Sequence, residues 1–354
     1  MNYAPTAAKP QPVVKKGEFK FAAAYFDHGH IYGMINGLTE AGAELAMLYD
    51  ANPVRLEALK KQFPSVRIAV SFDEILQDPA IQLVASAAIP CDRGPIGCQV
   101  MEAGKDYFTD KCPFTTLEQL EDAKKITDAT GRKYIVYYSE RVHVESAWYV
   151  DQLIQDGVIG DIVHMEIFGP HRLNKPGRPD WFFDKKQYGG IITDIASHQF
   201  DQFLHYTRCD EGTVAHAIVD NRANADKPGL EDVGQASLIL DNGVQCFSRV
   251  NWFTPDGMRG WGDGRSFITG TKGCIEIRKY FDFGRSNDGD LIILADSEGE
   301  REIRVAGQVG FPFFGQFILD CLHRTENAMT QHHAFQAARL SLEAQAIADA
   351  ARRA

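Results

Sequence analysis

From residue 19 to about 140, short apolar runs alternate with amphipathic segments. Residues 19–26, 44–49, 68–70, 83–88, 106–109 and 134–138 read as strands, and 31–41, 54–63, 72–77, 96–103 and 117–130 as helices. Strands apolar on both faces and separated by helices predict a parallel sheet covered on both sides, the doubly wound α/β arrangement. Beyond residue 141 the pattern changes. Helical segments at 145–155 and 192–206 give way to strand-like runs at 214–219, 233–240, 244–252, 265–270 and 274–278. Asp241-Asn242-Gly243 and Lys272-Gly273 separate some of these runs as hairpin turns. This predicts an open, mostly antiparallel sheet in a second, α+β domain. An Ala-rich amphipathic helix is expected at 333–351, and the chain is expected to divide into a tail (1–18), a dinucleotide-binding domain (19–140) and a substrate-binding domain (141–354).

Composition narrows the function classes. The 354 residues carry 37 Lys and Arg against 48 Asp and Glu, a formal charge of −11, so a polyanionic partner such as nucleic acid is not expected. No apolar stretch approaches the ~20 residues of a membrane helix, and the N-terminus lacks a signal-peptide core. Seven scattered cysteines without a CxxC pair read as reduced thiols. The expectation is a soluble, cytoplasmic protein.

Four places carry candidate chemistry. The first strand runs into Asp27-His28-Gly29-His30-Ile31, at the strand–helix junction where a pyrophosphate would meet a helix N-terminus. The G-x-G-x-x-G pattern is absent, its glycine positions being held by Tyr25, Asp27 and His30. Asp50 ends the second strand, where a carboxylate accepts hydrogen bonds from a ribose and repels a 2′-phosphate, so NAD is expected over NADP; it also reads as a cap for the next helix. Asp110-Lys111 follows another strand, where a lysine is either a donor to a substrate hydroxyl or a solvated surface group. In Gly189-Gly190-Ile191-Ile192-Thr193-Asp194-Ile195-Ala196-Ser197-His198, Asp194 and His198 stand four apart on one helical face, continued by Asp201 and His205. A histidine beside a carboxylate suits proton transfer at a hydroxyl, and equally suits a buried domain contact. A zinc site lacks a further His or Cys at ligand spacing, so no metal is expected.

Taken in order, LYDANPVRLEALKKQF, EAGKDYFTDK, DGVIGDIVHMEI, GGIITDIASHQFD and ITGTKGCIEI resemble the Gfo/Idh/MocA oxidoreductases, the glucose–fructose oxidoreductase and inositol dehydrogenase group, over roughly residues 19 to 352. The resemblance implies hydride transfer between a nicotinamide and a sugar, sugar derivative or cyclitol. His198 would be the acid/base, Asp194 its partner and a substrate contact, and Lys111 a polarising or proton-relaying cation. Ala88-Ile89-Pro90 and Tyr138-Ser139-Glu140 match family loops bordering the cofactor, Tyr138 also being a candidate for the substrate. Arg172, Arg178 and Trp181 are further candidates for the substrate, or else parts of a structural loop. A homodimer or homotetramer is implied too. Redox-neutral cleavage of glycosides and a non-catalytic ligand sensor are the alternative activities. Cys112 stands where the family usually has Pro, and Cys91 and Arg93 where polar and His residues are usual.

Overall fold

The computed structural model describes residues 11–353, so most of the expected N-terminal tail, residues 1–10, lies outside the described residues. The chain forms two units. The first comprises the chain up to Tyr137 together with Phe311–Phe335, and the second Tyr138–Gly310 with Gln336 onward.

In the first unit, β1 (Lys20–Ala24), β2 (Glu44–Tyr49), β3 (Arg67–Ile68), β4 (Leu83–Ser86), β5 (Asp106–Asp110) and β6 (Tyr134–Tyr137) form one parallel sheet in the order β3-β2-β1-β4-β5-β6. Helices α1 (His30–Glu40), α2 (Pro53–Gln62), α3 (Phe72–Gln77), α4 (Pro90–Glu102) and α5 (Leu117–Thr130) connect the strands. Their starts follow from local chemistry: the Asn52, Ser71 and Thr116 side chains each accept a backbone N–H of the first turn of α2, α3 and α5. Ala24 pairs with both Tyr49 and Ser86, and Asp110 with Tyr137, so the carboxyl ends of the strands line up. The order of strands reverses between β1 and β4, which places the ligand crevice of such a sheet beside those ends. Gly33 and Gly37 let α1 sit close, since a Cβ would lie 2.8 Å from the Tyr137 hydroxyl at the first and 2.2 Å from Phe314 at the second.

A division at residue 140 with everything beyond in one domain was expected. Instead Phe311–Phe335 returns to the first unit. The reason is apolar: the helix Pro312–His323 presents Phe313 and Phe317 to Phe108 at ring separations of 5.9 and 5.1 Å, and Phe314 to Tyr137 at 6.2 Å.

The second unit opens with α6 (Ser139–Val142) and α7 (Glu145–Gln155), followed by β7 (Ile162–Pro170), α8 (Lys185–Tyr188) and α9 (Ser197–Thr207). The strands β8 (Gly212–Asp220), β9 (Val233–Leu240), β10 (Gln245–Asn251), β11 (Arg265–Gly270), β12 (Gly273–Arg278), β13 (Leu291–Asp296) and β14 (Gly299–Arg304) complete a sheet ordered β14-β13-β12-β11-β7-β10-β9-β8. All its pairings are antiparallel except β7 with β10. Burial alternates along β7, β9 and β10, as in a sheet covered on one face. β7, β13, β14 and the helix Pro312–His323 were not anticipated as elements. None of the seven cysteines forms a disulfide, and among the described residues no helix is long and apolar enough to cross a membrane.

Candidate active site

The turn after β1 sets a tyrosine in a backbone conformation that favours glycine. Tyr25 occupies the left-handed region at φ 59°, a conformation that costs a non-glycine residue about 1 kcal/mol or more. Its ring packs edge-on against Tyr49 at 5.6 Å and Phe72 at 5.1 Å, contacts that offset this cost. Gly29 precedes α1, whose first turn has no side-chain cap and no acidic residue, and Ile31 is buried in that turn. An uncapped helix N-terminus suits an anionic group.

Asp27, a like charge at this turn, is compensated. Arg55 bridges from α2, with Nη2 2.9 Å from Asp27 Oδ1 and Nε donating to Asp50 Oδ2 at 2.9 Å. Burial raises the pKa of Asp27, and Arg55 opposes the shift. Asp50 also accepts the backbone N–H of Phe26 on Oδ2 (2.8 Å) and of Asn52 on Oδ1 (2.7 Å). Of the two readings of Asp50, helix capping falls to Asn52, whose side chain accepts from Val54 and Arg55.

Asp110, at the end of β5, organises the neighbouring loops. Its Oδ1 accepts from His30 Nδ1 (2.7 Å) and from the Lys111 backbone N–H (2.7 Å); its Oδ2 accepts from His28 Nδ1 (2.6 Å) and Arg93 Nη2 (3.2 Å). Burial would raise the pKa of Asp110, but His30, Arg93 and His28 outweigh it and hold the group well below its usual value. Burial, only partly opposed by Asp110, lowers His28 from 6.5 to about 4, so the ring is neutral near pH 7 and donates from Nδ1. Arg93 is buried in α4 and also donates to the carbonyls of Ala88 (2.7 Å), Cys112 (3.1 Å) and Lys111. It thus ties the Ala88-Ile89-Pro90 corner, where Pro90 opens α4, to Lys111, which is itself buried. The Lys111–Cys112 peptide bond is cis. His28, His30 and Asp110 offer three ligand atoms within 4.8 Å of one another. The carboxylate is already met by four donors, one of them a guanidinium where a cation would bind, which is the chemistry of a hydrogen-bonded anchor rather than of a metal site.

In the second unit, Gly189 and Gly190 take φ of 90° and 101° and lead into a π-helical turn, Ile192–Ala196, that continues as α9. A Cβ at Gly190 would lie 2.3 Å from Gln345, so the turn is pressed onto the last helix, Gln331–Arg353. The first backbone donors of the turn are met by side chains: Ile191 N–H donates to Glu231 (2.9 Å) and Ile192 N–H to Gln345 (3.1 Å). Asp194 and His198 are both buried on this element, and the His198 ring lies 6.3 Å from that of Tyr138. Asp201 and His205, expected to continue their face, serve other partners. Asp201 takes a bidentate pair from Arg141 (2.7 and 2.6 Å), and His205 lies 3.1 Å from Asp151.

Ser139 opens α6, and the next residue, Glu140, is buried in an ion pair with Lys279 at 2.9 Å. Gln199 Nε2 donates to the same oxygen, Oε2, at 3.1 Å, and His171 Nε2 lies 3.9 Å from Oε1. Burial favours the neutral acid, but Lys279, then His198 and His171, lower the Glu140 pKa from 4.5 to about 2. Arg172 donates from Nη2 to the carbonyls of Pro255, Met258 and Gly260 (3.1, 2.5 and 3.0 Å). Arg178 donates to those of Leu173 and Arg172 (2.8 and 3.3 Å) while its guanidinium sits 4.3 to 5.1 Å from the Phe182, Trp252 and Trp261 rings. Both arginines hold their loop together, and Trp181 packs on Phe182 at 5.9 Å.

Comparisons with known proteins agree with this architecture. The profile of an oxidoreductase family with an NAD-binding Rossmann fold matches residues 23–138, and that of the GFO/IDH/MocA C-terminal domain matches residues 148–276. A crystal structure of a provisionally named oxidoreductase from Erwinia carotovora atroseptica SCRI1043 is 44% identical, with a TM-score of 0.91 over 94% of this chain and 99% of that one. The chain belongs to the Gfo/Idh/MocA oxidoreductase family. Among curated relatives, scyllo-inositol 2-dehydrogenase (NADP(+)) IolW of Bacillus subtilis (strain 168) is 27% identical over 189 residues, 53% of this chain and 51% of that protein. The match thus spans about half the length of that relative. A levoglucosan dehydrogenase solved with NADH and levoglucosan shares the fold at a TM-score of 0.77 and 16% identity, over 94% of this chain and 98% of that one.

Within this Gfo/Idh/MocA chain, sequence reasoning passed over Arg55, Gln199 and Lys279, noted Glu140 only as part of a loop bordering the cofactor, and noted Arg93 only as a departure from the family. Lys279 and Glu140 are 139 residues apart in sequence, so no local spacing could have paired them.

Proposed function

We propose that the chain is an oxidoreductase that moves a hydride between a nicotinamide dinucleotide and a CH–OH carbon of a small sugar, sugar derivative or cyclitol. The observation that carries this reading is a pair of buried ionisable groups, Asp194 and His198, on a helical turn whose start is clamped by Glu231 and Gln345, in a chain of this family. His198 takes the hydroxyl proton during oxidation and returns it during reduction, with Asp194 orienting the ring and the substrate. Lys111 stabilises the developing alkoxide.

The residues of the first unit fit a dinucleotide, which when bound supplies the hydride acceptor. Asp27, His28, Gly29, His30 and Ile31 form the turn for the pyrophosphate, and the one acceptor position of Asp50 not met by a protein donor suits a ribose hydroxyl. Ala88, Ile89, Pro90, Asp110 and Lys111 are assigned to the nicotinamide end, and from the second unit the family resemblance adds Ser139 for the cofactor and Tyr138 for the substrate. NAD is favoured over NADP, because a 2′-phosphate would meet two carboxylates, Asp27 and Asp50, that share one arginine. Arg172 and Arg178 shape the substrate loop through their backbone contacts, and Trp181 lines it.

The test combines titration of NAD and NADP with a screen of polyols, sugars and lactones for nicotinamide reduction. Tighter NAD binding is expected, and His198→Ala should lower turnover by ~10²–10⁴-fold with dinucleotide affinity nearly unchanged. Equal or tighter NADP binding overturns the role of Asp50, and unaltered turnover in the His198 variant overturns the mechanism.

A further inference from the structure

The second unit holds a buried carboxylate that the mechanism above does not use. Glu140 is charged, its side chain is 3% exposed, and Lys279, exposed 0%, neutralises it. Both of its donors among the described residues, Lys279 Nζ and Gln199 Nε2, converge on Oε2. Oε1 is buried without a hydrogen-bond partner among the described residues, and so is the amide oxygen of Gln199. The orientation of that amide is fixed, since turning it would set its oxygen against the carboxylate. Two acceptors within one hydrogen-bonded unit therefore lack donors, an arrangement costly enough to be rare in native proteins unless something that donates is received there. Both lie in the neighbourhood of the proposed acid/base, because Gln199 directly follows His198, which itself acts electrostatically on Glu140. What is missing is a donor. A carbonyl, phosphate or carboxylate group offers none, whereas a hydroxyl donates one hydrogen bond and accepts another.

We propose that Glu140 Oε1 and Gln199 Oε1 form a hydroxyl-binding subsite that accepts hydrogen bonds from neighbouring hydroxyls of a polyhydroxylated substrate, with Lys279 as the buried counter-charge. This rests on the reading that the substrate is a sugar or cyclitol, and assigns the recognition of its non-reacting hydroxyls to Glu140. A substrate with a single hydroxyl cannot fill both acceptors, so the subsite selects vicinal diols.

The experiment uses the full chain with D-glucose, D-xylose, myo-inositol and their monodeoxy analogues, following nicotinamide reduction and, in parallel, calorimetric binding. Glu140→Gln replaces the acceptor by an amide of the same shape. The Glu140→Gln/Lys279→Met double variant serves if the single one, left with an unpaired buried lysine, does not fold. With the best of the parent polyols, KM or the dissociation constant is expected to rise ~10–100-fold, the range for a hydrogen bond to a charged group. Dinucleotide affinity should be unchanged. With the deoxy analogue lacking the recognised hydroxyl, wild type and variant should be equally weak, a convergence that a merely structural role would not produce. An unchanged KM and dissociation constant in the folded variant overturn the subsite. Binding without turnover by wild type overturns the oxidoreductase reading while the difference between variant and wild type still decides the subsite, and absence of both binding and turnover overturns both.

Discussion

Asp110 in the first unit and Glu140 in the second are both buried carboxylates ringed by cationic and amide donors, but their oxygens are used differently. Asp110 receives four donors, two on each oxygen. Glu140 receives two, both on Oε2, and its other oxygen has no hydrogen-bond partner among the described residues, with His171 Nε2 3.9 Å away. A saturated carboxylate is a fastening: every lone pair is committed, and a ligand could bind only by displacing a protein donor. A half-satisfied one faces something outside the protein. Charge and burial alone do not separate the two cases; counting donors on each oxygen does.

The largest expected effect tests the fastening. Arg93→Met removes the guanidinium that joins Asp110 to the carbonyls of Ala88, Lys111 and Cys112, and should cost about 3–5 kcal/mol, the usual range for breaking a buried ion pair. Denaturant unfolding checks this. A variant that kept its stability yet lost polyol affinity would invert the comparison. Glu140→Gln should do the reverse, changing substrate affinity far more than nicotinamide affinity.

Acid should separate the two centres next. The folded pKa of His28, about 4, lies below its unfolded value of 6.5. Its contribution is therefore present above pH 6.5 and is lost as pH falls toward about 4, because the unfolded chain binds a proton that the folded one refuses. Glu140, lowered from 4.5 to about 2, contributes stability that is lost only between those values. Stability against pH should fall in two windows, and His28→Gln should flatten the upper one. A single fall below pH 4.5 in the parent protein would contradict the neutral state of the partly buried His28.

The smallest expected effect concerns the charge at the first turn. Arg55→Ala leaves Asp27 and Asp50 uncompensated and should weaken NAD about tenfold, or about 1.4 kcal/mol, by fluorescence titration. Adding Asp27→Gly should recover most of that loss. If the single substitution leaves affinity unchanged, Arg55 does not screen the pyrophosphate turn.

The sequence made some of this legible and hid the rest for identifiable reasons. The strands β1, β4 and β6 of the first sheet declared themselves because each is apolar on both faces, and the spacing of Asp194 and His198 survives into the structure as two buried groups on one element. β14 was invisible because GEREIR buries no side chain fully, leaving no alternation to detect. The aromatic run FPFFGQF gave no sign of which core it joins, since any apolar core would accept it. Asp201 and His205 had the right spacing for a site but found Arg141 and Asp151, partners contributed by α6 and α7. Side-chain chemistry at a site is set by neighbours distant in the chain, and a spacing rule sees only one of the two partners.

Tyr25 carries a consequence for how a nucleotide would be held. A glycine-rich turn is supple when empty and must surrender backbone freedom on binding, at about 1–2 kcal/mol for each residue fixed. Here the first position is a tyrosine packed against Tyr49 and Phe72, and two further residues of the turn, His28 and His30, are fastened to Asp110. Much of that entropy is surrendered when the protein folds. The affinity of the turn then depends less on ordering the chain around the nucleotide and more on how well an already rigid shape fits, at the expense of tolerance for nucleotides of other shapes.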